Sequence, residues 1–198
     1  MELDFSKDYY LENDSVRLEP LTQFHSNFLT EIAQDKTIWR YFFEKPWDLK
    51  SMTIYVNNAI HNRKVFKEYP FVIYDKTTNL YAGCTRFYNY SNELKIIRLG
   101  HTWLGKDFQG KGINKNAKYL LFQFVFETLK LERIGLGAYA DNKQSIAAMK
   151  NVGCQQEGIF RNMFPSINGT GRSDAILMSI LKDEWFNKVK NKLKYKLK

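Results

Sequence analysis

The stretch Leu99-Gly100-His101-Thr102-Trp103-Leu104-Gly105-Lys106-Asp107-Phe108-Gln109-Gly110-Lys111-Gly112-Ile113-Asn114-Lys115-Asn116-Ala117 decides how this chain is read. A strand ends, a short loop follows, and Gly110 and Gly112 stand just before the strongest helical pattern of the sequence. Glycines let a backbone approach an anion and turn its N–H groups inward. A helix start adds free N–H groups and partial positive charge, and Lys106, Lys111 and Lys115 add full charges. On physical grounds these features make a good pyrophosphate site; an ordinary tight loop is an equally weighted reading of Gly-x-Gly alone. Two phosphate motifs fail. Gly105 to Gly110 and Lys111 have P-loop spacing, but Gly112 stands where a hydroxyl residue would hold Mg²⁺. Gly-x-Gly-x-x-Gly fails because position 115 is Lys.

Outward from this stretch, strands and helices alternate. From Ile113 to Lys130, Ala117, Leu120, Leu121, Phe124, Val125 and Leu129 recur at helical spacing. Arg133–Tyr139 reads as a strand. Asp141, with Gln144 three places on, reads as the cap of a helix that Gly153 closes. A hairpin pairs about Gln155–Met163 with Asp174–Leu181 through Asn168-Gly169, and a last helix begins near Asp183. Upstream, Ser15 to Leu21 reads as a first strand. Thr22 caps a helix whose stripe is Phe24, Phe28 and Ile32. A second helix covers about Asp48 to Arg63, with Met52, Tyr55, Val56, Ala59 and Ile60 on one face. Phe71–Tyr74 and Leu80–Phe87 form a hairpin around residues 75–79, and a third strand runs from about Leu94 to Leu104. The order predicts a mixed α/β fold with one right-handed, parallel strand–helix–strand unit.

The chain has 198 residues, 44% of them hydrophobic and 16% aromatic, enough for a packed core and one domain. No apolar run is long enough to span a bilayer, and the polar start does not read as a signal peptide, so a cytoplasmic protein is expected. Cys84 and Cys154 form neither a disulfide framework nor a metal site and are expected as buried thiols. All eleven glycines lie at or after Gly83, which puts any anion-holding loop in the second half. The net charge of +9 is concentrated at one end. Lys188, Lys190, Lys192, Lys194, Lys196 and Lys198 carry six of those charges, and residues 1–187 carry only +3. Such a tail can bind RNA or an acidic surface; the plainer expectation is a solvated end to a last helix, dispensable for ligand binding. The Asn168-Gly169-Thr170 sequon reads as a hairpin turn.

Gln109-Gly110-Lys111-Gly112-Ile113-Asn114 resembles the pyrophosphate loop of the GNAT acetyltransferases, Gln/Arg-x-x-Gly-x-Gly/Ala. Asn114 departs at the last place. Gly112, Asn114, Ala117 and Lys118 fit the Gly-x-Asn-x-x-Ala-Lys variant of the RimJ/RimL-like branch, that of the ribosomal-protein N-terminal acetyltransferases. The resemblance extends along the chain. Arg17-Leu18-Glu19-Pro20-Leu21 resembles the family's first strand, and Gly83–Phe87 and Leu99–Leu104 its central strands. Asp141-Asn142-Lys143-Gln144-Ser145 and Gly153–Gly158 resemble its Asn-x-x-Ser helix start and the strand after it.

The resemblance implies a central, mostly antiparallel twisted sheet with one parallel strand pair splayed to hold acetyl-CoA. Here those strands end near Leu104 and Tyr139. It implies that the main chain of Thr102, Trp103 and Leu104 binds the pantetheine arm and polarises the thioester carbonyl. Gln109, Gly110, Lys111, Gly112, Ile113 and Asn114 would hold the pyrophosphate, and Asn142 and Ser145 would lie beside the far arm and the sulfur. Many relatives protonate the leaving thiolate with a tyrosine seven residues after that Asn; here the place is Met149. Ser145 is then the candidate donor, or a helix-start hydrogen bonder. His101 is the candidate general base by its reference pKa of about 6.5, or a strand histidine facing solvent. The place where some relatives carry a carboxylate falls on Arg98; Glu157 remains possible. Residues 38–43 (Ile-Trp-Arg-Tyr-Phe-Phe) line the acceptor entrance or fill the core.

The expected activity is acetyl transfer from acetyl-CoA to a primary amine, a protein N-terminus or a small molecule, by a monomer or homodimer that binds neither membrane nor metal. A non-catalytic CoA-binding protein is the first rival, since Met149 and Arg98 replace familiar catalytic side chains. A nucleic-acid module is the second; it lacks an RNP-like strand, and its charge would lie mostly in the tail.

Overall fold

A computed structural model describes residues 1–197; Lys198, the last of the tail lysines, lies outside the described residues. Its centre is an eight-stranded sheet of order β1-β2-β3-β4-β5-β6-β8-β7. The strands are β1 (Leu11–Glu12), β2 (Val16–Pro20), β3 (Glu68–Asp75), β4 (Leu80–Ser91), β5 (Ile96–Leu104), β6 (Arg133–Tyr139), β7 (Gln155–Pro165) and β8 (Arg172–Leu181). Every neighbouring pair is antiparallel except β5 and β6, which run parallel. The mixed fold with one parallel pair is therefore as expected. The two-residue β1 was missed, because Leu11 and Glu12 carry no periodicity of their own and pair only with Arg17 and Leu18.

Side chains alternate across the sheet. Phe71, Phe87, Leu99 and Ile134 face one core with α3 (Ile113–Gln123), α4 (Lys143–Asn151) and the terminal helical run. Val72, Cys84 and Trp103 face the other, with α1 (Ser26–Ile32) and α2 (Leu49–Lys64). Asp48 caps α2 by accepting from the Ser51 N–H at 2.8 Å, and Met52, Tyr55, Val56 and Ala59 are buried as the spacing predicts. Both cysteines are buried and free.

Four local expectations need correction. The predicted stripe of Phe24, Phe28 and Ile32 holds only at Ile32, which is half-buried against the core: Phe24, in the turn before α1, is 67% and Phe28 40% exposed, while Leu29 and Ala33, on the adjoining stripe, are buried. The cap of α4 is Asn142, not Asp141, and it accepts from the Ser145 N–H at 3.0 Å. The long helix does not run straight to Lys130. After Gln123 it widens into a π turn, Phe124–Thr128, closed by Leu129 N–H to Phe124 O at 2.9 Å. Finally, the lysine tail is not a solvated appendage. The run is α5 (Lys182–Glu184), a second π turn (Trp185–Val189) and α6 (Lys190–Tyr195), and it buries Trp185, Val189 and Leu193 in the main core. The two π turns meet: Trp185 stacks on Phe126 at 5.9 Å, and its indole N–H donates to Glu127 at 2.9 Å. Gly153 (φ +100°) makes room for the tail, since a Cβ there would lie 2.7 Å from Val189. Among the described residues, no helix is long and apolar enough to cross a membrane.

Candidate active site

The site begins where the sheet opens. The β5–β6 ladder joins Ile96 to Arg133, Ile97 to Ile134 and Arg98 to Gly135, and stops there. β5 continues to Leu104 with β4, and β6 to Tyr139 with β8. A β-bulge drives them apart. Arg86 faces Gly100 and Cys84 faces Trp103, so His101 and Thr102 share one opposing residue, and His101 takes φ +50°. An extra residue bends its strand and increases the local twist. The result is a wedge between the two carboxyl ends, at Leu104 and Tyr139.

The glycine loop lies at the wedge mouth. Gly105 N–H donates to Ala82 O at 2.9 Å, a 3₁₀ turn covers Lys106–Phe108, and Gly110 (φ +77°) and Gly112 (φ +83°) turn the chain into α3. A side chain at either glycine would be strained. Around Gly110 a Cβ position meets open space. The helix start carries no side-chain cap, and its first backbone bond is Asn116 N–H to Gly112 O at 3.1 Å. The N–H groups of Ile113, Asn114 and Lys115 thus lack helical partners, and the Asn114 Oδ1 is buried without one. Unpaired donors, a cleared approach and the exposed Lys106 and Lys111 fit a diphosphate. Lys115 contributes less than its charge suggested, because its ammonium donates to Lys196 O at 3.3 Å. Asn116, assigned no role from sequence, and the distant Asn13 hold this loop: Asn116 Nδ2 donates to Gly112 O at 3.2 Å, and Asn13 Nδ2 donates to Asn116 Oδ1 at 2.8 Å. Gln109 points inward, donating to Leu104 O at 3.0 Å and accepting from Gln144 at 3.2 Å.

On the α3 side of the wedge, Thr102 receives a hydrogen bond from the buried Lys118 ammonium group at 2.7 Å. Ser145, in the first turn of α4, is half-buried, while Met149 is buried in the core. Met149 can pack there but cannot donate a proton.

On the α2 side, Trp103 donates to the Tyr55 hydroxyl at 3.2 Å, and Arg86 stacks over the Tyr55 ring at 4.4 Å. Burial pushes the Tyr55 phenol up to about 12. Arg86 pairs with Glu68 at 2.8 Å, and its Nε and one Nη have no acceptor. His101 lies 3.8 Å from Glu68, with its side chain 41% exposed. Burial, then the Arg86 guanidinium, pull its imidazole below the ordinary value, so it is neutral at pH 7. Arg98 lies along Gly135 and Gly137; a Cβ at Gly137 would lie 3.0 Å from its guanidinium, and one at Gly135 3.5 Å from its Cγ. Its Nε is buried and unpaired. Glu157 is excluded as a base by position. Arg133, at the opposite end of β6 from the wedge mouth, grips its carboxylate, and Ser179 donates to it at 2.8 Å.

The aromatic segment divides. Trp39 is core, donating to Ala33 O at 2.8 Å and packing on Trp103 at 4.9 Å. Tyr41 reaches Tyr139 at 5.4 Å, and Phe43 reaches Phe164 at 6.1 Å. Tyr139 and Phe164 touch at 4.6 Å, so these four rings bridge the α1–α2 connection to the open end of the wedge.

Comparison with known proteins places this geometry. The model of the Acetyltransferase (GNAT) domain matches residues 15–155. The Bacillus subtilis (strain 168) protein named "Putative ribosomal N-acetyltransferase YdaF" is 32% identical over 104 residues, 52% of this chain and 55% of that protein. The chain thus spans about half of YdaF's length in that match. Spermidine N(1)-acetyltransferase of Escherichia coli (strain K12) is 25% identical over 86% of this chain and 88% of its own. The crystal structure of a GCN5-related N-acetyltransferase from Brucella melitensis superposes with a TM-score of 0.88 at 24% identity, covering 97% of this chain and 86% of that one. The chain belongs to the GNAT acetyltransferase family of acetyl-CoA-dependent N-acetyltransferases.

Proposed function

We propose that this protein transfers the acetyl group of acetyl-CoA to a primary amine, a protein N-terminus or a small molecule, with the α-amino group of a peptide as the better acceptor. The observation that carries this reading is the wedge between β5 and β6 with an uncapped, glycine-led helix at its mouth. Gly110 to Asn114 hold the diphosphate through main-chain N–H groups and Lys111, while Gln109, whose N–H donates to Lys106 O at 3.2 Å, sets the loop. The main chain of Thr102, Trp103 and Leu104 lies along the pantetheine arm, and a donor there polarises the thioester carbonyl, a contribution of about 3 kcal/mol. Acetyl-CoA supplies an activated acyl group. Asn142 sets the start of α4, and Ser145 offers a hydroxyl beside the arm.

The acceptor enters from the α2 side, between His101, Arg98 and the aromatic bridge. An α-amino group, with a reference pKa of about 7.7–8.0, is partly neutral at pH 7. His101, neutral there, can take its proton. Two further features favour a peptide over a polyamine. Arg98 and Arg86 place two guanidinium groups on this side, with one carboxylate, Glu68, paired to Arg86, a balance that disfavours a polycation. The aromatic bridge offers apolar surface to side chains. Polyamines remain the second reading, because the spermidine acetyltransferase match covers most of both chains. Acetyl-CoA consumption against peptides, amino acids, spermidine and aminoglycosides decides. The reading predicts the highest kcat/KM for a peptide. No turnover with any amine, despite CoA binding, would favour the non-catalytic alternative.

A further inference from the structure

Among the described residues, Lys118 is a buried lysine without a carboxylate partner. It lies on α3 and is 5% exposed. Its ammonium donates to the Thr102 hydroxyl at 2.7 Å, and that hydroxyl lies 2.8 Å from the Thr85 hydroxyl. Thr85 in turn donates to Gly100 O at 3.3 Å. With Thr85 committed to that carbonyl, Thr102 donates to Thr85 and accepts from Lys118, so the chain has one direction. An ammonium group carries three donors; here one has an acceptor. Among the described residues, the titratable neighbour acting on Lys118 is the Cys154 thiol, and no carboxylate balances the charge. Burial accordingly brings the amine down from 10.5 to about 7. A lysine so placed is costly to the fold, and its cost suggests a use.

We propose that Lys118 donates the proton that the departing CoA sulfur requires. Three observations converge. Lys118 is bonded to Thr102, the strand residue at the wedge beside which the thioester is read to lie. Met149, at the place where relatives carry a tyrosine, is a buried thioether. Ser145 can offer a hydrogen bond, but a serine hydroxyl does not give up its proton near neutral pH, whereas Lys118 gains and loses one there. In the step, the acceptor nitrogen bonds to the carbonyl carbon while the carbon–sulfur bond breaks, its electron pair staying on sulfur. Lys118 protonates that sulfur, the acceptor nitrogen loses a proton to His101 or water, and solvent reprotonates Lys118. Amine and thioester become amide and thiol.

The inference rests on the acetyltransferase reading, and one experiment separates them. The pKa of the CoA thiol bound to the protein is followed by thiolate absorbance in wild type, Lys118→Met and Ser145→Ala, with desulfo-CoA affinity as a control. Thermal melting checks folding, and Lys118→Gln replaces the Met variant if that one does not fold. In wild type the bound thiol, about 8.5 when free, should titrate at least one unit lower, a tenfold gain in ionisation. In Lys118→Met it should return to the free value or above, and CoA affinity at pH 8 should fall about tenfold while desulfo-CoA affinity holds. In the same variant kcat should fall about a hundredfold. A bound thiol that titrates alike in wild type and Lys118→Met overturns the role of Lys118 and leaves the acetyltransferase reading standing. Failure of wild type to bind CoA overturns both.

Discussion

Gln109 and Gln144 link the two sides of the β5–β6 wedge: the Gln144 amide donates to Gln109 Oε1 at 3.2 Å while Gln109 donates to Leu104 O at 3.0 Å. One side chain thus ties the glycine loop to the end of β5 and to the start of α4. The Gln109 side chain is thus engaged within the protein, and on the proposed reading the loop would offer a diphosphate its main chain. Replacing Gln109 with Ala should loosen the loop and weaken acetyl-CoA binding about three- to tenfold, with little change in melting temperature. Calorimetric binding checks this.

Gly112→Val tests the loop itself. At φ +83° a β-branched residue costs about 1–3 kcal/mol of backbone strain, and relief of that strain would move the helix start. Acetyl-CoA affinity should drop at least tenfold in a protein that still folds. An unchanged dissociation constant would remove the loop from the binding site.

The tail should prove structural. Truncation after Asn187 removes Val189 and Leu193 from the core, together with the Lys190–Glu127 pair at 3.0 Å. Leu193→Ala alone should cost about 2–5 kcal/mol, measured by urea unfolding. Lys192→Ala, at an exposed site of the same helix, should change stability by less than about 0.5 kcal/mol.

The pH dependence of stability should carry the mark of Lys118. Its folded-state value, about 7, lies below the ordinary 10.5. Between those values the unfolded state binds more protons, so stability rises with pH across that window. Below pH 7 both states are protonated and the burial penalty is at its full size. Lys118→Met should therefore be more stable than wild type by a few kcal/mol at pH 6–7, with the gap closing toward pH 10. A gap that does not vary with pH would mean that Lys118 titrates normally in the folded protein.

His101 should appear in the pH–rate profile. It accepts a proton only when neutral, and its pKa is depressed, so its limb lies below pH 6.5, separate from the acceptor amine's limb at about 7.7–8.0. His101→Gln should lower kcat/KM about ten- to a hundredfold and abolish the acid limb while leaving the amine's. A profile of unchanged shape would assign the proton to water.

By itself the sequence determined the succession of elements and the position of the glycine loop before α3. These are local properties: the helical recurrence of Ala117, Leu120 and Leu121, the turn-forming freedom of Gly110 and Gly112, and the cap at α4, one residue off at Asn142. Tertiary structure decided what depends on partners distant in the chain. Phe24 and Phe28 face outward because Leu29 and Ala33, one stripe over, meet Trp39. The lysines of the tail look solvated in sequence because charge dominates a linear reading, yet every third or fourth residue there packs against α3 and Gly153. His101 and Thr102 became a bulge only through β4, and that bulge opens the wedge. In sequence Lys118 is legible only as the last place of the Gly-x-Asn-x-x-Ala-Lys pattern; the fold removes it from water and sets it against Thr102, since burial without a counter-charge is a property of the assembled core.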